Sequence, residues 1–251
     1  MKAILAAALL SVSVLGACVS APDDGVSSEP RLATNGMLPT YIGPTNIYAY
    51  ALTSQLLNQN NVISSAGGRS YLSYIVDCAL GSNQSVRGTY GFTTYTFYGN
   101  IGIAPAWTTR PLTSQEGAWI SACVIARANQ TGTNVTISMR GDAGIWGTTA
   151  DEAANYNVEE GAFYGNIWAG NMNQIHACDG VDQVRVGDTY GDLSLRQCAQ
   201  EDPNNPGYTP CGYVFDGNCA DICVRATSGD HYSSCNNFTT ILTTRLYGTA
   251  P

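Results

Sequence analysis

Lysine is almost absent from this sequence. The single lysine among its 251 residues is Lys2, at the start of the chain. A P-loop, a Schiff-base enzyme and a Ser–Lys dyad each need a lysine within the fold, so the sequence disfavours these three chemistries. The patterns G-x-G-x-x-G, G-x-S-x-G and H-E-x-x-H and the EF-hand loop are missing as well. Dinucleotide enzymes, ordinary α/β-hydrolases and zincins are therefore disfavoured too.

Charge is also scarce, and most of it is negative. Charged residues make up 12% of the chain, with 19 acidic residues against 11 basic ones. Thirteen of the acidic residues lie in residues 150–251, together with four arginines. A protein that binds nucleic acid needs a basic surface, so nucleic acid is not the expected partner.

Residues 1–17 are predicted to be a lipoprotein signal peptide. A positive start precedes an apolar run over residues 3–15, which is too short to span a bilayer as a mature helix. The run ends in Leu-Gly-Ala-Cys, which resembles a bacterial lipobox, so we expect cleavage before Cys18 and acylation of that cysteine, for example with palmitate. Val19 in place of an aspartate favours the outer membrane. An ordinary secretory signal, with a secreted or periplasmic product, is the alternative.

Composition divides the rest of the chain into three parts. Residues 18–40 are rich in Ser, Pro, Asp, Glu and Gly, so they can bury little apolar surface and are predicted to be a flexible tether. We expect an α+β core over residues 41–175 and an acidic, cysteine-rich region over residues 176–251. The lipid on Cys18 would hold the protein on a membrane without a spanning helix.

Cysteine usage supports export. Eight cysteines follow Cys18, namely Cys78, Cys123, Cys178, Cys198, Cys211, Cys219, Cys223 and Cys235. An even number in an exported chain predicts four disulfide bonds. Cys78 and Cys123 are the only two in the first half and each lies on a predicted helix, so we expect them to pair. The other six are expected to pair among themselves, in an order that their spacing does not determine.

Residues 114–141 are predicted to form a capped helix that leads directly into a strand. Large and apolar residues recur at intervals of three and four from Trp119 to Arg127, which places them on one helix face. Thr113 and Glu116 have the spacing of a capping box. Gly132 is expected to provide the left-handed residue that ends the helix, and residues 134–139 then alternate as a strand.

Four other segments have helix or strand patterns. Residues 46–57 and 69–80 carry apolar stripes of helical period, and the aromatic-rich residues 89–98 and 160–169 predict two strands. Turn residues predominate after His176. The sequence therefore predicts an α+β fold, with two disulfide-linked helices on a small, mostly antiparallel sheet and a loop-rich, cystine-stapled C-terminal region.

The pentapeptide Phe-Tyr-Gly-Asn-Ile occurs twice, at residues 97–101 and 163–167. The two copies are either equivalent turns that face a ligand or the same strand-to-turn chemistry used twice. No similarity extends beyond the five residues, which favours the second interpretation.

Carboxylates are the candidates for hydrolytic chemistry. Glu159 and Glu160 are adjacent, and neighbours in a strand point to opposite faces, so they cannot act on the same bond. A glycosidase would need a second carboxylate from elsewhere. By elimination the candidates are Asp142, Asp151 and Glu116, although Glu116 also suits a helix cap.

Two kinds of metal site are considered from spacing, and we expect no cofactor apart from the calcium alternative. Four aspartates in turn-rich sequence suit calcium, with solvated turns as the alternative: Asp179, Asp182, Asp188 and Asp192. A zinc-knuckle spacing is formed by Cys219, Cys223, His231 and Cys235, but disulfides are the better interpretation in an exported chain. A Cys123 nucleophile assisted by His176 or His231 is disfavoured, because Cys78 is the expected disulfide partner of Cys123.

Six blocks of sequence carry a resemblance to a known family. They are residues 71–80, 102–107, 119–123, 126–127, 137–141 and 160–166. Together they resemble a family of uncharacterised exported proteins and lipoproteins of myxobacteria, over about residues 68–235. The resemblance implies export and a shared architecture, but no reaction.

These observations predict a non-enzymatic envelope lipoprotein that acts as a surface binding or structural module. Many tyrosines and tryptophans with little charge suit stacking on carbohydrate, and an envelope protein is the other partner considered. The second hypothesis is an envelope hydrolase that acts on polysaccharide or peptidoglycan through a carboxylate pair drawn from residues 142–160. A site near the helix that starts at Ser114 is expected in the glycine-rich loop over residues 141–149.

Overall fold

The structure, a computed structural model, describes residues 32–39, 50–59, 61–132, 134–142, 144–169, 174–182 and 197–248. The predicted signal peptide, the lipidation site Cys18 and most of the predicted tether lie outside these residues. Asp188 and Asp192, two of the four calcium candidates, lie outside them as well. None of the described helices combines the length and the apolar character that a membrane span requires.

A six-stranded sheet forms the centre of the fold. Its strands are β1 (Leu32–Asn35), β4 (Val135–Arg140), β5 (Val158–Gly165), β6 (Ile175–Asp179), β7 (Val214–Asn218) and β10 (Ile241–Leu246). They lie in the order β1-β4-β10-β5-β6-β7, and all neighbours are antiparallel except β6 and β7. The last strand of the chain therefore lies between β4 and β5, in the middle of the sheet.

Two hairpins and five helices surround this sheet among the described residues. The hairpins are β2 (Ser85–Tyr90) with β3 (Thr93–Tyr98), and β8 (Cys223–Arg225) with β9 (Tyr232–Cys235). The helices are α1 (Ser54–Gln59), α2 (Ala66–Ala79), α3 (Ser114–Ala126), α4 (Ala150–Asn155) and α5 (Cys219–Ile222), with 3-10 turns at Val62–Ser64 and Pro105–Thr108. The predicted α+β class with a mostly antiparallel sheet is confirmed.

Helices cover one face of the central sheet. Ile137, Phe163, Leu242 and Leu246 come from β4, β5 and β10, and all four are buried in the main core with residues of α2 and α3. Successive strand residues face opposite sides, so these positions form one apolar surface. Burial of each such side chain is worth about 1.5–3 kcal/mol.

The β8–β9 hairpin covers the opposite face. Ala162, Tyr164 and Ile241 form a second core there, together with Cys178, Cys219 and Cys235. This core is small, so its disulfide bonds matter more than its apolar area. Each bond is worth about 3–4 kcal/mol through the restriction it places on the unfolded chain.

Four disulfide bonds join the eight cysteines that follow Cys18. They are Cys78–Cys123, Cys178–Cys219, Cys198–Cys211 and Cys223–Cys235. The predicted pairing of Cys78 with Cys123 is confirmed, and so is the pairing of the other six among themselves.

Helix α3 begins as predicted and ends earlier than predicted. The Thr113 hydroxyl accepts a hydrogen bond from the Glu116 amide, and the Glu116 carboxylate accepts one from the Thr113 amide, which confirms the capping box. The helix ends at Ala126, so the prediction that Gly132 ends it is wrong. The Asn129 side chain accepts from the Thr131 amide and closes a local turn first. Gly132, with φ of 70°, belongs to that turn.

The prediction of one strand over residues 89–98 is also wrong, because the chain reverses within it. Gly91 has φ of 60° and leaves Tyr90 paired with Thr93 across a two-residue turn. Glycine at the first central position is the residue that such a turn requires. Aromatic residues on both sides of Gly91 gave the segment the appearance of a continuous strand.

Three further elements differ in extent from the predictions. The helix predicted over residues 46–57 is present as α1, which begins at Ser54, while residues 41–49 lie outside the described part of the chain. The strand predicted over residues 160–169 starts earlier, at Val158, and ends at Gly165, whose φ of 117° breaks the extended conformation. Strand β1 lies within the segment assigned to the tether. An edge strand takes its hydrogen bonds from its neighbour, here β4, and needs few apolar side chains.

Candidate functional site

A groove opens between helix α2 and the edge of β3 that does not pair with β2. Its volume is about 250 Å³, and its lining consists of Ser73, Tyr74, Asp77, Thr96, Phe97, Tyr98 and Arg127. Three aromatic rings and a pair of opposite charges therefore face one cavity. This groove, called the α2–β3 groove below, is the candidate functional site.

An ion pair forms the polar part of the α2–β3 groove. Arg127 Nη1 donates a hydrogen bond to Asp77 Oδ1, with the arginine side chain 7% exposed and the aspartate side chain 28% exposed. The Cys78–Cys123 bond positions this pair. It ties α2 to α3 one residue after Asp77 and about one helical turn before Arg127.

Tyr74 lies under the same arginine. The Arg127 guanidinium carbon is 4.6 Å from the centre of the Tyr74 ring, a cation–π distance. Burial raises the pKa of the Tyr74 phenol, against the opposing effects of the Arg127 charge and of a hydrogen bond from the Gly36 amide. The phenol is therefore neutral at physiological pH, and its ring is held in place from two sides.

Only the first copy of the repeated pentapeptide contributes residues to this groove. Both copies close a strand, but Tyr98 is 70% exposed beside the groove, whereas Tyr164 is fully buried. Tyr164 donates a hydrogen bond of 2.6 Å to Asp216, and its ring stacks on His176 with the ring centres 5.5 Å apart. The two copies therefore share a strand-end position and differ in surroundings.

The groove offers complementary surfaces to a sugar ring. A sugar presents an apolar face of C–H groups and a rim of hydroxyl groups. The exposed ring of Tyr98 suits the apolar face, and the Asp77 carboxylate, whose side chain is 28% exposed, can accept a hydrogen bond from a hydroxyl group. Small-molecule sites commonly have this form, in which a few polar groups orient a ligand on an apolar surface.

The adjacent carboxylates of β5 point to opposite faces of the sheet, as their spacing predicted. Glu159 accepts a hydrogen bond from Arg245, whereas Glu160 accepts one of 2.6 Å from Thr244, the preceding residue of β10. They lie in different environments and do not form a catalytic pair with each other.

Glu159 is the centre of a buried ionic cluster. Its side chain is fully buried and accepts hydrogen bonds from Arg225, Arg245 and Tyr232 at 2.7–3.0 Å. Burial would raise the pKa of Glu159, but the hydrogen bonds from Arg225 and Tyr232 and the two positive charges outweigh it, so the pKa is lowered. A general acid in a glycosidase needs a raised pKa, so this environment suits a structural role.

The remaining hydrolytic candidates are also held by other groups or lie at the surface. Glu116 belongs to the α3 cap and accepts two hydrogen bonds from Arg110, which lower its pKa to about 2. Asp151 is exposed in the first turn of α4. Neither side chain lines the α2–β3 groove.

Asp142 contacts His231 instead of another carboxylate. The two nitrogens of His231 are each 2.6 Å from a carboxylate oxygen, Nε2 from Asp142 and Nδ1 from Asp230. Asp142, at the start of the loop over residues 141–149, is thus tied to the β8–β9 hairpin, and no described residue of this loop lines the groove.

The other histidine lies in an aromatic cluster. His176 Nδ1 is 2.9 Å from the Asp216 carboxylate, and Phe238 packs against the rings of His176 and Tyr164. Burial would raise the pKa of Asp216, but hydrogen bonds from His176 and Tyr164 lower it overall. Cys123, which was considered as a nucleophile for these histidines, is bonded to Cys78.

The cysteines considered for zinc form disulfides. The sulfur atoms of Cys178, Cys219 and Cys223 lie within 4.8 Å of one another because two disulfide bonds are adjacent. Of the described calcium candidates, Asp182 accepts a hydrogen bond of 2.6 Å from the Glu159 amide, and Asp179 is buried. Calcium binding stays a prediction.

Sequence reasoning did not identify the α2–β3 groove. It placed Tyr74 beside the stripe of α2 and Tyr98 in a repeated pentapeptide, but it had no reason to bring them together. The missing step was the turn at Gly91, which lays β3 against α2. One available signal was the predicted Cys78–Cys123 bond, because it also brings Asp77 near Arg127.

Comparison with models of protein families, with curated proteins and with solved structures finds no match for this chain. The resemblance to exported proteins of myxobacteria stays a prediction. Function is therefore inferred from the groove itself.

Proposed function

We propose that the protein is a non-enzymatic carbohydrate-binding module of the cell envelope, held at the outer membrane by the lipid on Cys18. The observation that carries the binding proposal is the α2–β3 groove, where the exposed ring of Tyr98 lies beside the Asp77–Arg127 ion pair. Export and the anchor rest on the signal sequence and on the disulfide bonds, which are typical of proteins outside the cytoplasm.

The surroundings of the carboxylates favour binding over hydrolysis. Glycoside hydrolysis requires two carboxyl groups on either side of the bond, about 5–10 Å apart, with one kept protonated. The α2–β3 groove contains one carboxylate, Asp77, and Arg127 neutralises it. The most buried candidate, Glu159, is neutralised by two arginines.

The size of the groove indicates a subsite for one unit of a longer chain. Its volume of about 250 Å³ is below the usual range for small-molecule sites, about 300–1,000 Å³. A single sugar bound there would gain one stacking contact and a few hydrogen bonds. We therefore expect weak binding of monosaccharides and stronger binding of polymers.

Affinity electrophoresis tests the proposal directly. The full mature protein is run through native gels that contain glycol chitin, hydroxyethylcellulose or alginate. We expect retardation by at least one polymer and a loss of about tenfold in affinity for Tyr98→Ala, because the stacking surface, worth about 1.5 kcal/mol, is removed.

Tyr50→Ala is the matched control. Tyr50 is 65% exposed, close to the value for Tyr98, and it does not line the groove. The proposal is wrong if no polymer retards the protein, or if Tyr98→Ala and Tyr50→Ala are retarded equally. Release of new reducing ends from a retarding polymer would favour the hydrolase hypothesis instead.

A further inference from the structure

The outer face of the β2–β3 hairpin is a row of polar side chains. Its cross-strand pairs are Ser85 with Tyr98, Arg87 with Thr96 and Thr89 with Thr94. The intervening residues Val86, Gly88 and Phe97 are buried. Because strand residues alternate between faces, the three pairs point away from the core. This set of six residues is called the hairpin row.

The hairpin row has the chemistry of a hydrogen-bonding surface. Five of its six members carry a hydroxyl group, and five of the six are exposed, with Thr96 half-buried. The hydroxyls of Thr89 and Thr94 are 3.1 Å apart, so they bond to each other and orient one another. The row therefore presents donors and acceptors in a regular array at the strand spacing.

Charge distinguishes this surface from the rest of the protein. Arg87 is the one charged member of the hairpin row, and residues 78–115 contain no acidic residue, although the chain has 19. An anionic ligand would be repelled by much of an acidic protein and would be accepted here. The arginine fork matches a carboxylate in two parallel hydrogen bonds.

The hairpin row continues the α2–β3 groove. Thr96 and Tyr98 belong to both, since they line the cavity and also stand in the row. Six residues of extended chain cover about 17 Å, which is longer than one sugar ring. A ligand seated on Tyr98 can therefore extend along the hairpin.

We infer that the hairpin row and the groove together form a track for a linear polysaccharide that carries carboxylate groups. This inference rests on the proposed function and adds the ligand class to it. Tyr98 stacks on one sugar, the hydroxyl side chains bond to the following sugars, and Arg87 pairs with a uronate carboxylate.

Other macromolecules fit the hairpin row less well. A protein interface usually has a buried core with aromatic or large apolar anchors, whereas this row has one aromatic ring and no aliphatic side chain. Nucleic acid requires several phosphate contacts, and the row offers a single arginine.

Calorimetric titration of the mature protein tests the track with defined probes. They are a diuronate and a hexauronate from alginate, and the neutral cellohexaose. We expect the hexauronate to bind about tenfold more tightly than cellohexaose, because it alone of the two hexasaccharides presents a carboxylate to Arg87. It should also bind more tightly than the diuronate, because it covers more of the hairpin row. Arg87→Gln should remove most of this tenfold preference, Arg87→Lys should keep part of it, and Tyr98→Ala should weaken all three probes.

The controls separate the track from the groove. Arg87 is exposed, so Arg87→Gln should keep the near-ultraviolet circular dichroism of the native protein. The inference of a track is wrong if the hexauronate does not bind or binds no better than the diuronate. It is also wrong if Arg87→Gln still binds the hexauronate more tightly than the other probes. In each of these cases the proposed function would still stand if neutral polymers retard the wild-type protein and retard Tyr98→Ala less.

Discussion

Glu159 carries its charge beneath the β8–β9 hairpin without any exposed side-chain surface. Moving a carboxylate out of water costs several kcal/mol, and the cost is offset only where opposite charges and hydrogen bonds replace the water. Arg225 and Arg245 supply the charges, and Tyr232 supplies a further donor. This residue therefore joins its own strand, β5, to three others, β8, β9 and β10, and depends on each partner.

Arg245→Met should reduce the free energy of unfolding by about 3 kcal/mol, because it leaves part of a buried charge without compensation. Urea unfolding followed by circular dichroism measures the effect. Arg87→Met is the control, since Arg87 is exposed, and it should change stability by less than about 0.5 kcal/mol. Equal midpoints for the two variants would show that Glu159 does not need Arg245.

Glu116 predicts a specific dependence of stability on pH. Hydrogen bonds from Arg110 lower its pKa from 4.5 to about 2 in the folded protein. A lowered carboxyl pKa means that the stabilisation is present above pH 4.5 and is lost as the pH falls toward 2. Glu116→Gln keeps the cap but removes the titration.

Thermal unfolding at pH 6 and at pH 2.5 checks this expectation. The wild-type protein should be more stable than Glu116→Gln by a few degrees at pH 6, and the two should converge at pH 2.5. Asp151→Asn, which alters an exposed carboxylate, should run parallel to the wild type. A constant difference between wild type and Glu116→Gln across this range would contradict the assignment.

At the scale of elements, disulfide bonds position the site as well as stabilise the fold. Cys78–Cys123 holds α2 against α3 and so brings Asp77 to Arg127. Cys198–Cys211 closes a short segment of the C-terminal region and does not line the groove; Cys198 Sγ bonds to the carbonyl oxygen of Ala128. The two bonds thus allow stability and binding to be separated.

Replacing both Cys78 and Cys123 with serine should cost about 4 kcal/mol of stability and should also weaken polysaccharide binding, because the ion pair loses its geometry. Replacing Cys198 and Cys211 should cost about 3 kcal/mol and leave binding unchanged. Urea unfolding and affinity electrophoresis on the folded variants measure both quantities. Equal loss of binding in the two variants would mean that Cys78–Cys123 has no special role at the groove.

The elements that the sequence predicted well are those defined by local contacts. The capping box of α3 depends on two residues three positions apart, and the stripes of α2 and α3 are visible in a few turns. Strand β10 was not predicted, because its position between β4 and β5 is determined by pairing with residues far away in the chain. The β2–β3 hairpin was missed because a single glycine, Gly91, carries its turn.

Predictability of the candidate site follows the same division. The Cys78–Cys123 bond was predicted from cysteine number and helix placement, and it positions Asp77 and Arg127, the polar part of the groove. Tyr98 was noticed only as part of a repeat, since its exposure depends on the packing of β3 beside α2. The partners of Glu159 and Asp142, which are arginines and a histidine, come from distant parts of the chain, so the sequence alone did not reveal them.

At the scale of the whole molecule, the hairpin row lies within residues 78–115, which contain no acidic residue, and Asp77 is the one carboxylate in the groove that it continues. Most of the negative charge, thirteen of the 19 acidic residues, lies after residue 150. This asymmetry would orient the protein toward an anionic polymer with the hairpin first.

The predicted lipid anchor is tested by replacing its attachment site, Cys18. Growth with labelled palmitate should label the wild-type protein in the envelope fraction, and Cys18→Ser should abolish the label, because the acylated residue is removed. The variant should then appear in the soluble exported fraction. Unchanged labelling of Cys18→Ser would contradict the lipoprotein assignment.

Carbohydrate binding in the α2–β3 groove is tested most directly by residue-resolved NMR titration. Uniformly ¹⁵N-labelled mature protein is titrated with oligomers of the polymer that retards it. The groove predicts that the amide shifts concentrate at Ser73, Asp77, Thr96 and Tyr98. Shifts concentrated at Asp142 and His231, with the groove unchanged, would contradict it.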